Sequence, residues 1–149
     1  MNEELSKKLF ERFDFFYPET PVTESLMAFG FECDDGWFQI IWDLCEEIEK
    51  QLQLQDIDQK QLVINKLKEK KEFRVVQVKE KFGSLRFYVE SSKKISTDMY
   101  EAITKAEAKS AITCESCGSK GQLMSRNGWY KTLCTSCGSK TKYKPTKEQ

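Results

Sequence analysis

The apolar positions of this chain change their spacing as the sequence runs, and each spacing predicts a different element. Leu5, Leu9, Phe10, Phe13 and Phe16 recur at three- and four-residue steps, which predicts an amphipathic helix over residues 3 to 16, stopped by Pro18. Residues 17 to 33 lose that period. Pro18, Pro21 and Gly30 there predict a loop holding one short helical turn around Ser25 to Phe29. The period returns in the strongest helical stripe of the chain, Trp37, Phe38, Ile41, Trp42, Cys45, Ile48 and Leu52, with Asp34 and Asp35 placed to accept hydrogen bonds from its first free amides. Leu62, Ile64 and Leu67 carry a weaker helix around Asp58 to Lys71.

From Phe73 to Glu90 the period falls to two, and the stretch FRVVQVKEKFGSLRFYVE reads as a β-hairpin. A two-residue loop at Gly83-Ser84 would pair Phe82 with Leu85, Glu80 with Phe87 and Val78 with Val89. One face then holds Val76, Val78, Phe82, Leu85, Phe87 and Val89. The other shows Gln77, Lys79, Lys81, Arg86, Tyr88 and Glu90, with Lys81 opposite Arg86, an arrangement that a bound anion would relieve. Ser96 or Thr97 next caps a helix through Met99, Ile103 and Ala106.

The phrase Cys-x-Ser-Cys-Gly-Ser-Lys then appears twice, at residues 114 to 120 and 134 to 140. Cys114-x2-Cys117 and Cys134-x2-Cys137, sixteen residues apart, have the spacing of a four-cysteine zinc site. A pair separated by two residues can turn both sulfurs to one point, and Gly118 and Gly138 let each turn tighten. Between the pairs, Asn127-Gly128 favours a type I′ hairpin that carries them to the same ion, with Arg126 facing Trp129, Ser125 facing Tyr130 and Met124 facing Lys131. A thioredoxin-like redox pair would stand alone in a βαβ setting, so zinc is the better reading. Four thiolates fill a tetrahedral ion, which makes its role structural: one zinc that folds a segment with little core of its own. Arg126 stacked on Trp129, with Lys131 beside them, could hold a base or phosphate, or dock the ribbon on the body; docking is favoured because large aromatics in small domains are needed for burial.

Composition narrows the function classes. The 149 residues are 39% hydrophobic and 32% charged, values of a globular chain large enough to bury a core. Neither a signal-peptide run nor a bilayer-length apolar stretch is present, so a cytoplasmic protein without a membrane partner is expected, and its six cysteines read as metal ligands or free thiols. Residues 1 to 110 hold 17 basic and 22 acidic residues, a net −5, and residues 111 to 149 hold seven and two, a net +5 that four thiolates around a divalent ion would lower. With no histidine, Ser-His-Asp and Cys-His catalysis and histidine-bound catalytic zinc are excluded. A phosphate-binding glycine loop is absent, and Gln77-Val78-Lys79 is a poor approximation to a metal-dependent nuclease strand. Asp34-Asp35 reads as a helix cap, Glu46, Glu47 and Glu49 as a solvated helix face, Cys45 as core, and Cys33 as lacking an activating cation.

The run Val75 to Tyr88, a following helix, Cys114-x2-Cys117 and Gly128-Trp-Tyr-Lys-Thr-Leu-Cys134 resemble a group of small, largely uncharacterised proteins of tailed phages and prophages, and the stretch Leu9 to Leu44 is similar as well. In those relatives the last ligand can be histidine; here Cys137 stands there. The resemblance implies a zinc-stapled protein in a viral context and brings no established activity. The expectation is an α+β fold: a helical body over residues 1 to 110 with the hairpin 73 to 90, a zinc ribbon or treble-clef-like unit over 111 to 142, and a basic flexible tail over 143 to 149. Its expected function is non-catalytic binding, to a host protein as inhibitor or adaptor. The alternative is nucleic-acid binding through Lys79, Lys81, Arg86 and Tyr88 with Arg126, Trp129 and Lys131.

Overall fold

A first helix, α1, spans Glu3–Arg12, where the Asn2 side chain accepts a hydrogen bond from the Leu5 amide at 2.9 Å. Such a cap is worth about 1 kcal/mol. The computed structural model describes residues 1–59 and 73–146. The helix expected around Asp58 to Lys71 therefore lies, apart from its first two residues, outside the described residues. The α1 helix is shorter than its apolar period suggests because the chain is extended at Phe13, turns at Asp14 and Phe15 and then meets the later hairpin: the Phe15 carbonyl accepts the Val75 amide at 3.0 Å, and Phe16 bridges Val75 in parallel.

The expected short turn is present at Leu26–Phe29, capped by Ser25. Strand β1, Phe31–Glu32, follows, then a turn of 3-10 helix at Asp35–Trp37 that runs into α2, Phe38–Gln59. Strands β2, Phe73–Lys81, and β3, Ser84–Ser91, form the hairpin, and β1 lies parallel to β2 on its other side, giving the order β1-β2-β3. Helix α3, Thr97–Ser110, is capped by Ser96 and packs along β3. Its Ser110 hydroxyl and Glu107 carboxylate accept the outward amides of Leu85 and Phe87 at 2.8 and 3.2 Å, which closes those edge positions to another strand.

The hairpin register differs from the expected one. Lys81 pairs with Ser84, Lys79 with Arg86 and Val78 with Phe87, and the two loop residues are Phe82 and Gly83 at φ 53° and 79°. Both left-handed angles match a type I′ turn, and the Glu80 carboxylate secures it by accepting the Gly83 amide at 2.6 Å. A bulge between Val75 and Gln77 restores the alternation, so Val75 is buried and Val76 only half-buried. Lys79, not Lys81, therefore faces Arg86, and Phe82 leaves the apolar face for solvent, with 68% of its surface exposed.

One core joins Leu9, Phe13, Trp37, Ile41, Ile48, Val75, Leu85 and Met99, all with under 2% of their surface exposed, to a run of rings from Phe10 through Phe16 and Phe31. Each such burial contributes about 1.5–3 kcal/mol. The cysteine segment has a separate and very small core, Cys114, Met124 and Leu133, with Cys134, Cys137 and Tyr143 against it. Strands β4, Gln122–Arg126, and β5, Trp129–Leu133, turn at Asn127-Gly128 in the expected register. Helix α4, Thr135–Thr141, and strand β6, Lys144–Pro145, complete it. Residues 143–146, read from the sequence as tail, are thus structured: β6 pairs with β4, and the Thr146 amide donates to the Leu123 carbonyl at 3.2 Å.

Candidate metal centre

Each cysteine pair is folded by its own backbone before any ion is considered. In the first, the Gly118 amide donates to the Cys114 carbonyl at 2.8 Å, with Gly118 at φ 78°. In the second, the Gly138 amide donates to the Cys134 carbonyl at 2.9 Å, and the Cys137 amide points at the Cys134 sulfur at 3.4 Å. The four Sγ atoms of Cys114, Cys117, Cys134 and Cys137 all lie within 4.8 Å of one another, Cys117 and Cys134 at 3.8 Å. Metal–sulfur bonds of about 2.3 Å in a tetrahedron require edges of about 3.8 Å, so the donor set fits a zinc-sized ion. The second pair opens helix α4, with Cys134 as its cap. The unit is therefore knuckle, hairpin and helix, the treble-clef-like arrangement, and not a ribbon of strands alone.

The thiols divide their protons unevenly. Hydrogen bonds from the Ser119 side chain and backbone lower Cys117 to about 6, while Cys137 is pushed up to about 12 by its contacts with Cys134 and Cys117. Burial raises Cys114. Outside the cluster, burial pushes Cys33 up to about 12 and Cys45 well above its ordinary value, so neither is a reactive thiol.

What fastens this cage to the body is a set of residues that the sequence reading assigned elsewhere or passed over. The Gly36 amide donates to the Glu115 carbonyl at 2.7 Å, and the buried Trp37 indole donates to the Thr113 carbonyl at 2.8 Å. Glu115, between the first two ligands, is only 1% exposed, and its carboxylate accepts the Asp34 amide at 3.1 Å. Lys131 closes the junction, its ammonium 2.8 Å from the Asp34 carboxylate and 3.2 Å from that of Glu115. Burial raises the Glu115 carboxyl against the pull of Lys131. Burial also opposes the Lys131 charge, but the Asp34 hydrogen bond and the Glu115 charge outweigh it and raise that amine. On the other side, the Thr132 hydroxyl donates to the Gly83 carbonyl at 2.6 Å, seating the β2–β3 turn on β5.

Three expected roles change accordingly. Asp34 and Asp35 do not cap α2 with their side chains. Asp34 holds Lys131, Asp35 accepts from the Asn2 amide and side chain at 2.7 and 2.8 Å, and the 3-10 turn already occupies the first amides. Lys131 faces the Asp34 and Glu115 carboxylates. Arg126 lies over Tyr143, 4.9 Å from the ring centre, and donates to the Thr141 carbonyl, leaving Trp129 unstacked and 74% exposed. The ribbon is docked by Gly36, Glu115, Lys131 and Thr132, and Trp129 has no part in it.

The basic side chains of the first hairpin do share one face. Lys79, Lys81, Arg86 and Tyr88 all project from the side of the sheet opposite the core, and the Lys79 ammonium stands 5.8 Å from the Tyr88 ring centre. Among the described helices, none is long and apolar enough to cross a membrane. No family model, curated protein or solved structure matches this chain. The missed residues had one signal in the sequence: an acidic side chain inside the first Cys-x2-Cys, where a cage of thiolates already concentrates negative charge.

Proposed function

We propose that this is a non-catalytic binding protein held together by one structural zinc, acting in the host cytoplasm on a host protein as inhibitor or adaptor, in the phage or prophage setting that the resemblance implies. The observation that carries this reading is the solvent position of Trp129 and Phe82, 74% and 68% exposed, on a ribbon and a turn whose docking is accomplished by other residues. Large aromatics left outside by a protein with abundant buried ones are groups for a partner, and Trp and Tyr dominate binding hot spots. Four cysteine ligands leave zinc no open position for water or substrate, which supports a folding role for the ion. A tagged full-length chain, loaded with zinc and passed through host lysate with and without nuclease, tests the reading. A stoichiometric partner that survives nuclease supports it, and loss of every partner on nuclease treatment sinks it. Metal analysis of the reduced protein should give about one zinc per chain, as four ligands require.

A further inference from the structure

We propose that the outer face of β2–β3 and the adjoining edge of the zinc unit form one recognition surface for an acidic protein partner, an inference that rests on the binding role just argued. Lys79 and Arg86 stand directly opposite each other in the ladder, and Lys81 is two residues further along the same face. Facing like charges destabilise a strand pair unless an anion bridges them. Among the described residues none of these three cations has a carboxylate within ion-pair distance, whereas Arg74, on the same strand, reaches both Glu90 at 2.7 Å and Glu24 at 3.4 Å. The fold thus gives carboxylates to the cation at one end of the face and none to the three at the other end, where Arg86 donates to the Ser84 hydroxyl and the Leu85 carbonyl, each at 2.7 Å.

The same surface continues as apolar groups. Beyond Lys81 comes the exposed ring of Phe82, its centre 5.5 Å from the Lys81 ammonium. Gly83 lies so close to the Leu123 side chain that a β-carbon there would stand 2.4 Å from it. Leu123 and Tyr130, 39% and 40% exposed, lie on the side of the second hairpin that carries Thr132 to Gly83, whereas Trp129, paired with Arg126, projects from the opposite side. Cations beside aromatic anchors match an acidic protein surface, the charges steering encounter and the rings supplying the buried contact.

A polynucleotide fits less well. The patch holds only three cations without a carboxylate partner among the described residues, and Glu32 interrupts the same sheet face, paired in register with Lys79 and holding Gln77 at 3.1 Å, so it offers no continuous basic groove to track a phosphate backbone. The experiment compares the zinc-loaded full chain with Lys81→Glu/Arg86→Glu and with Tyr130→Ala, after checking that each keeps its zinc and melting temperature. Each is used to capture partners from nuclease-treated host lysate, and each is titrated with the single-stranded oligonucleotide dT20 at low and moderate salt. The expected result is a nuclease-resistant protein held at least about tenfold more weakly by both variants, with the wild-type complex weakened by salt and its hydrogen exchange slowed over residues 79–88 and 123–130. A partner held equally by wild type and variants overturns the surface and leaves the binding role standing. Salt-dependent binding of dT20 with no nuclease-resistant protein overturns the acidic-protein assignment and the binding role together, and so does the absence of any partner.

Discussion

A single methyl group at Gly36 tests whether the cage and the body are one structure. A β-carbon there would stand 2.3 Å from the Cys114 carbonyl oxygen, 2.5 Å from that of Glu115 and 2.5 Å from the Gly118 amide nitrogen. All three are backbone atoms of the first cysteine knuckle, so no side chain can swing aside; either the loop 34–37 lifts or the knuckle deforms. Forcing a methyl group into such packing costs about 1–3 kcal/mol. Lifting the loop also breaks the hydrogen bond from Gly36 to Glu115, worth about 1 kcal/mol more. Gly36→Ala should therefore lose about 2–4 kcal/mol, and at about 2–4 °C per kcal/mol for a chain of this size its melting temperature should fall by about 5–15 °C. Gly128→Ala is the control: Gly128 sits at φ 83° with nothing within 4 Å, so only the left-handed backbone penalises alanine there. That penalty is about 1 kcal/mol. Calorimetric melts of the zinc-loaded proteins, with chelator competition for metal affinity, read both effects. Gly36→Ala should lose affinity as well as stability, because the crowded atoms belong to the ligand-bearing turn. Equal melting of the two variants, or unchanged affinity in Gly36→Ala, would refute the reasoning.

Other consequences are as open to measurement. Chelation should abolish hydrogen-exchange protection in residues 114–142 and expose the Trp37 indole proton now held by Thr113 at 2.8 Å, while the core around Leu9 and Ile41 keeps its protection; knuckle amides that stay protected without metal would contradict this. Lys131→Met should cost about 2–3 kcal/mol, less than a fully buried pair because Asp34 is half exposed, since it leaves the Glu115 carboxylate buried and uncompensated. Glu115→Gln keeps an acceptor for the Asp34 amide and should stay within about 1 kcal/mol of wild type; the reverse order in urea unfolding would refute the assignment of charges. Glu49 is held below its ordinary range by the two-pronged hydrogen bond from Arg12, at 2.9 and 2.8 Å. A lowered carboxyl stabilises the fold above its unfolded pKa and stops doing so as pH falls through the lowered value. Glu49→Gln should thus melt slightly below wild type at neutral pH and converge with it in acid, and a gap that persists into acid would count against the pair.

Elements whose periodicity is set by burial were legible in the sequence. The α2 stripe from Trp37 to Ile48, the Ser96 cap, the Asn127-Gly128 turn and the four cysteines each rest on a local rule, and the structure has all of them. The first hairpin failed locally because glycine marks a turn without saying which turn position it fills. Phe82 takes the other left-handed position, an unusual conformation that the Glu80–Gly83 bond and the seat of Gly83 on Thr132 make tolerable, and both of those are tertiary facts. Charged side chains were harder still. Asp34 reads as a cap and Lys131 as a binding or docking cation, and Glu115 shows no role, because their meeting spans up to 97 residues of sequence and no periodic pattern encodes such a meeting.

That meeting also decides which cations remain for a partner. A tetrathiolate cage around a divalent ion would carry −2, and Glu115 is buried between two of its ligands, so negative charge concentrates where the unit touches Asp34 of the body. Burying like charges together is costly unless a cation is brought to them, and Lys131 is the one that β5 delivers. The residue that looks most available for an anion, next to an exposed tryptophan, is thereby committed to the interior. Arg126 is committed as well, to Tyr143 and the Thr141 carbonyl at the end of α4. Lys79, Lys81 and Arg86 have no carboxylate partner among the described residues, Arg86 donating only to the Ser84 hydroxyl and the Leu85 carbonyl, so the basic part of the proposed surface lies on the first hairpin while Leu123 and Tyr130 lie on the second. The two are held in a fixed relation by Gly83 against Thr132 and by Gly36 against the first knuckle. Binding that depends on both hairpins should therefore depend on the metal.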